Sequence, residues 1–231
     1  MLRKILGVSV VTVAAGLAVA GCAVPPLRMG AAAIVGNNRV SVAQLDTESG
    51  LLAAGAKKYP KLVTLSQTQI TQDTLTWLIR FQIAEQLAST NHISVTSAQE
   101  TAALGQIYKE AAASAEQSGV SNVTLNLILI ANGIPPNMST ELGRYQAIEN
   151  AYLTSVNGGT MPAASSAAAT TAENKYTHAT CVAAKSMNIK VNPQFGRMSY
   201  TQYSVVATAD TVSRPSGKVT KSTQSGLTPA C

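Results

Sequence analysis

Residues 68–89 read TQITQDTLTWLIRFQIAEQLAS. Leu75, Leu78, Ile79, Ile83 and Leu87 recur there at three- and four-residue steps, which puts them on one face of an α-helix. Trp77, Phe81, Ala84 and Ala88 form a second apolar stripe beside the first. A helix that is apolar on two sides is either sandwiched in a core or turns one side to a partner. Trp77 is the only tryptophan and Phe81 one of two phenylalanines, so this stripe carries much of the aromatic content. Both readings stay open for these two side chains, as core residues or as candidate binding residues.

Working outward, further elements announce themselves by caps and turns. Upstream, Ala31 to Val35 reads as a small apolar strand. Gly36-Asn37-Asn38 tolerates the positive φ of a turn, and Arg39 to Val42 leaves it as the second strand of a hairpin. Ser41-x-x-Gln44 is a capping-box pattern that opens a helix, and Tyr59-Pro60 stops it. Downstream, Thr96-x-x-Gln99 starts a helix with Leu104, Ile107, Tyr108, Ala111 and Ala115 on one face, ending at Gly119. A shorter apolar helix runs from Val123 to Ala131 before Gly133 and Pro135-Pro136. The next, from Ser139 to Val156, points Leu142, Tyr145, Ile148, Tyr152 and Val156 inward.

Residues 157–169 lack periodicity and read as a flexible loop, after which Thr170-x-x-Glu173 is expected to cap a final helix. Its apolar row is Tyr176, Ala179, Ala183 and Met187. Ile189-Lys190-Val191 and Tyr203 to Ala207 are strand-like, and residues 208–231 read as a flexible polar tail. The expected fold is mainly α, a helical domain over residues 31–207 with a small sheet formed by N- and C-terminal strands.

The N-terminus carries an address. Arg3 and Lys4 precede an apolar run from Ile5 to Ala20, the pattern of a signal peptide over residues 1–21. Val19-Ala20-Gly21-Cys22 resembles the lipobox of bacterial lipoproteins, which implies a diacylglycerol thioether on Cys22 and further acylation of palmitate type. An ordinary secretory signal and a transmembrane helix are the alternatives; the run is short for spanning, and neither explains a cysteine at that position. Residues 22–30, with Pro25 and Pro26, read as a stiff tether from membrane to domain.

Composition narrows the function. Aromatics are 4% and charged residues 12%, so the core is built from Leu, Ile, Val and Ala. Without the leader, 15 basic residues face 11 acidic ones, a mild and dispersed excess unlike a nucleic-acid-binding stripe. The one local cluster, Lys57, Lys58 and Lys61, is either a solvated helix end or a surface toward the membrane. Besides Cys22 only Cys181 and Cys231 remain, and in an exported domain they are expected to pair as a disulfide.

No catalytic or cofactor-binding constellation emerges. His92 lies in a polar linker. His178 and Cys181 stand three apart, a spacing open to a thiol–imidazole dyad or two metal ligands, but no third group lies near in sequence. Neither a Gly-x-Ser-x-Gly elbow nor a phosphate loop occurs. The expectation is a protein without cofactor or metal, and not an enzyme.

Four stretches, in order, resemble the SurA-type and PrsA-type extracytoplasmic chaperones. These are Ala32 to Ser41, Leu78-Ile79 through Thr96, Arg144-Tyr145-Gln146-Ala147-Ile148, and Val191-Asn192-Pro193-Gln194-Phe195-Gly196. The resemblance implies a helical chaperone core whose final helix returns to the N-terminal helices, with terminal strands joining the opening hairpin. Many members insert a parvulin prolyl-isomerase domain before that last helix. Residues 157–169 hold that position here and are too short for a domain, so no catalytic residue carries over. The implied function is lipid-anchored, non-isomerising binding of unfolded or newly exported polypeptides, with Trp77 and Phe81 as candidate client contacts. The alternative is an adaptor lipoprotein that binds one folded partner.

Overall fold

The computed structural model describes residues 29–208. The leader, Cys22, most of the tether, the polar tail and Cys231 lie outside the described residues, and the expectations for them stand as proposals.

The chain begins with a hairpin, β1 (Ala31–Val35) and β2 (Asn38–Ser41), whose connection places Gly36 at φ +60. That is the glycine position of a two-residue II′ turn. The tip docks on the far end of the chain, because the Gly36 amide donates to the Met187 carbonyl at 2.7 Å. Among the described residues six α-helices follow: α1 (Val42–Ala56), α2 (Gln67–Thr90), α3 (Ser97–Gln117), α4 (Leu125–Ala131), α5 (Ser139–Val156) and α6 (Ala167–Ser186). β3 (Lys190–Val191) then adds to the free edge of β1, giving the antiparallel order β2-β1-β3. β4 (Arg197–Ser199) and β5 (Ser204–Val206) form a separate hairpin against α2. A mainly α domain with a small sheet of N- and C-terminal strands is therefore observed, as the sequence implies.

Local chemistry explains most helix starts. Ser41, Ser66, Thr96, Thr124 and Ser166 each sit in extended conformation, and their hydroxyl oxygens accept the backbone N–H three residues on. Ser66 with Gln69 and Thr96 with Gln99 complete the reciprocal capping box. Ser41 makes only its half, to the Gln44 amide. One boundary needs correction. The loop expected over residues 157–169 ends at 166, since Ser166 rather than Thr170 caps α6. The Thr170 hydroxyl donates instead to the Ser166 carbonyl at 3.3 Å, inside the first turn.

α2 is the axis of the core. Its first stripe is fully buried, with Leu75 and Ile79 at 0% exposure, and Ala84 and Ala88 of the second stripe are buried as well. α1, α5, α6, β1 and β5 pack around it, so the helix is sandwiched. A smaller apolar cluster of Leu52, Val63, Ile70, Leu127 and Ile130 seals the α1–α4 end. Lys57, Lys58 and Lys61 stand exposed over that end, next to the exposed Leu62.

The outlier is α3. It spans 21 residues yet buries only Ala103 completely, and its main neighbour is α5. Contact there is close because Gly143 of α5 has no side chain: a Cβ at that position would lie 2.7 Å from the Glu100 carbonyl oxygen. Tyr108, on the apolar face of α3, is 38% exposed, and its hydroxyl donates to the Val123 carbonyl at 3.1 Å.

Candidate functional site

Trp77 and Phe81 lie on α2 where it faces α5, and both are half-buried against the main core. Their rings stand 5.6 Å apart, and Tyr145 of α5 meets Trp77 edge-on at 5.8 Å and Phe81 at 6.2 Å. Such tilted and edge-to-face pairs match the ring quadrupoles. The Trp77 indole N–H donates to the Asn132 carbonyl at 3.0 Å, at the end of α4. Arg80 places its guanidinium carbon 5.0 Å from the Trp77 ring centroid, a cation–π distance. Trp77 is thus held on several sides, by α4, α5 and its own helix.

Two recesses share Tyr145. The first, about 320 Å³, opens between α2, α3, α4 and α5, with Trp77, Ile107, Ile128, Ile134, Leu142 and Tyr145 among its walls. Glu110, Asn132 and Gln146 supply its polar lining, so one end is wet. The second, about 220 Å³, lies between α2, α5, α6 and the residue-203 turn, and Arg80, Tyr145, Tyr176 and Tyr203 line it. The first volume is at the low end for small-molecule sites and suits one or two apolar side chains of a longer ligand.

A charged fork holds the first recess together. From α5, the Arg144 guanidinium donates to both carboxylate oxygens of Glu85 on α2 and, at 2.8 Å, to Glu100 on α3. These contacts, made by hydrogen bonds foremost, push the Arg144 pKa further up and keep it charged. One side chain so joins three helices. Below it, burial raises the Tyr145 and Tyr176 hydroxyl pKa values, and the two hydroxyls interact.

Glu149, one turn past Tyr145, has its pKa raised by burial first and by the nearby Glu173 second. An acid whose pKa is higher folded than unfolded stabilises the fold most when protonated, and that contribution falls as pH rises from about 4.5 through the folded value. Glu149→Gln is therefore expected to raise the melting temperature at pH 7, with the gain disappearing below about pH 4. Thermal melts of both proteins across pH 3–8 check this sign.

The remaining sequence candidates separate. His92 is exposed in the α2–α3 turn at φ +53. His178 is exposed on α6, while Cys181 is 2% exposed and already disulfide-bonded, so the dyad reading of this pair has no free thiol. Its pairing with Cys231 lies outside the described residues. Among the described residues no group of three or more His, Cys, Asp or Glu could hold a metal ion, and no helix is long and apolar enough to cross a membrane. In the sequence Tyr145 is an inward residue of its helix and, with Arg144, part of a stretch that carries the family resemblance, but nothing there marks either as a site residue. Their placement depends on partners far away in the chain, and only the adjacency of an arginine and an aromatic on an amphipathic helix hinted at it.

No family model, curated protein or solved structure matches this chain.

Proposed function

We propose that this chain is a lipid-anchored, extracytoplasmic chaperone-like protein that holds unfolded or newly exported polypeptides without isomerising their prolyl bonds. The observation that carries the reading is the apolar recess between α2 and α5, floored by Trp77 and Tyr145 and walled by a helix, α3, that packs on α5 and buries a single residue. A binder of many sequences needs apolar area and an adaptable wall more than a polar constellation, and α3 with its single buried residue supplies that wall. The disulfide on Cys181 supports an address outside the reducing cytosol. Only residues 157–166 separate α5 from α6, where the resembled family places its isomerase domain.

The mature protein is expected to suppress aggregation of several unrelated unfolded proteins and to leave proline isomerisation in a test peptide at its uncatalysed rate. Ile107→Glu puts a charge on the recess wall from a half-buried position of α3. Losing one apolar side-chain contact there should weaken client binding about tenfold; because Ile107 also packs against the core, the substitution should cost about 1 kcal/mol of stability, and suppression is compared well below its melting temperature. Light scattering with two or more clients, with the melt as control, reads both. Suppression unaffected by the substitution would remove the recess from the mechanism. A single folded partner bound at fixed stoichiometry, with no effect on unfolded proteins, would replace the chaperone reading by the adaptor one.

A further inference from the structure

The second recess, about 220 Å³ between α2, α5, α6 and the residue-203 turn, has no part in the client reading and is built differently from the first. Ile83 and Ala84, both buried in the core, give it an apolar floor, and hydrogen-bonding side chains ring it. We propose that this recess binds an organic carboxylate with a short aliphatic body, held by the Arg80 guanidinium and the hydroxyls of Tyr176 and Thr180.

Arg80 is a cation without a counter-ion. Among the described residues Arg144 makes the ion pairs and Arg80 makes none. Asp73 is near enough to feel the Arg80 charge, but burial foremost raises the pKa of its carboxyl. The Arg80 Nε donates to the Tyr203 carbonyl at 2.9 Å and Nη2 to the Gln202 carbonyl at 3.3 Å, while the guanidinium carbon stands over the Trp77 ring. Its fork carries more N–H groups than two carbonyls occupy, and contact with a ring leaves its edge free to donate. Neutral carbonyls solvate the charge without cancelling it. A carboxylate does both, through the stronger, charge-assisted kind of hydrogen bond.

The groups facing Arg80 are donors as well. Tyr176 and Thr180 stand four apart on one face of α6, and both line the recess with Tyr145 of α5. Burial, as the largest cause, raises the pKa of the Tyr145 and Tyr176 hydroxyls, which keeps them protonated. The Thr180 hydroxyl lies close enough to Tyr176 to act on its pKa, yet it is buried and makes no hydrogen bond among the described residues. A buried hydroxyl without a partner is costly, and an acceptor entering the recess relieves it. Tyr203 is already engaged, since its hydroxyl donates to the Thr177 carbonyl at 3.1 Å. The opposing charge is Glu149, which acts on both Tyr145 and Tyr176; burial and Glu173 raise its pKa and so lessen that charge. Arg80 disfavours a cation here, and a neutral ligand leaves its charge uncancelled. The volume is below that of ordinary small-molecule sites, which limits the ligand body to a few carbons. A free short-chain acid and the last residue of a polypeptide both present this chemistry.

Trp77, the only tryptophan of the chain, reports binding because Arg80 stands over its ring. Titrating the full chain with isocaproate should change Trp77 emission saturably, and isocaproamide should bind about tenfold more weakly or worse. Thr180→Val and Tyr176→Phe each remove one hydroxyl and keep the shape. Each should weaken isocaproate about threefold or more by calorimetry, with thermal melts confirming the fold. Arg80→Gln should abolish binding; because Arg80 also holds the residue-203 turn, the two hydroxyl variants carry the test if that protein does not fold. A peptide ending in a free leucine, set against its amidated twin, separates the sources. Tighter binding of the free-ended peptide than of isocaproate assigns the recess to chain ends, and the reverse assigns it to a free acid. Equal binding of acid and amide, no saturable binding of either carboxylate, or full affinity in both hydroxyl variants would overturn the proposal.

Discussion

Trp77→Ala is expected to lower the unfolding free energy by about 3 kcal/mol, the lower end of the range for truncating a packed aromatic because the ring is only half-buried. The loss has identifiable parts. Truncation removes two ring contacts, to Phe81 and Tyr145, and leaves Arg80 without the face it covers. It also leaves the Asn132 carbonyl without its indole donor at the end of α4. Trp77→Phe separates these terms: the ring contacts survive in part, and losing the hydrogen bond should cost about 1 kcal/mol. Denaturant unfolding of the three proteins measures both. A Trp77→Ala protein as stable as the parent would return this side chain to the role of a client contact.

Gly143→Val is expected to cost about 2 to 3 kcal/mol and to loosen α3 selectively. The first atom that a side chain meets at this position is the backbone oxygen of Glu100, at 2.7 Å from an added Cβ, followed by the Leu104 Cβ at 3.3 Å. Backbone cannot rotate away as a side-chain tip can, so α3 has to move off α5. Glu100 moves with it and strains the Arg144 fork that spans the three helices. The signature is local. Amide exchange over residues 97–117 should accelerate far more than over α2, and with no such difference the seam does not hold α3. Because α3 walls the first recess, the same variant should also bind clients differently, which links the packing of one glycine to the proposed activity.

These two positions show where sequence legibility ends. Residues 68–89 were readable as a helix, and α2 runs from Gln67 to Thr90, because hydroxyl caps and a 3.6-residue period are local signals. The helix expected from Ser139 to Val156 is observed with those bounds. The start of α6 was misplaced because Ala167, Ala168 and Ala169 favour helix but carry no amphipathic pattern, and Ser166 has no Glu or Gln three residues on to advertise the cap. β4 went unseen since three residues make no periodicity, and its pairing with β5 is a tertiary fact. The site divides in the same way. Trp77 and Phe81 stood out by scarcity, but Glu85 and Arg144 are 59 residues apart, and no local pattern announces that their side chains meet.

The pairing of β1 with β3 also constrains when this protein can finish folding. Ile34 waits for Lys190 and Ala33 for Val191, so β1 finds its outer neighbour only when nearly the whole domain has been made. Until then β1 has β2 alone on one side and an open edge on the other, a surface on which a foreign strand can dock. Loop closure over such a separation is slow compared with helix formation. The helices can therefore assemble around α2 before the sheet closes, and the sheet is the last piece to form: a chain truncated before β3 keeps the apolar outer edge of β1 open.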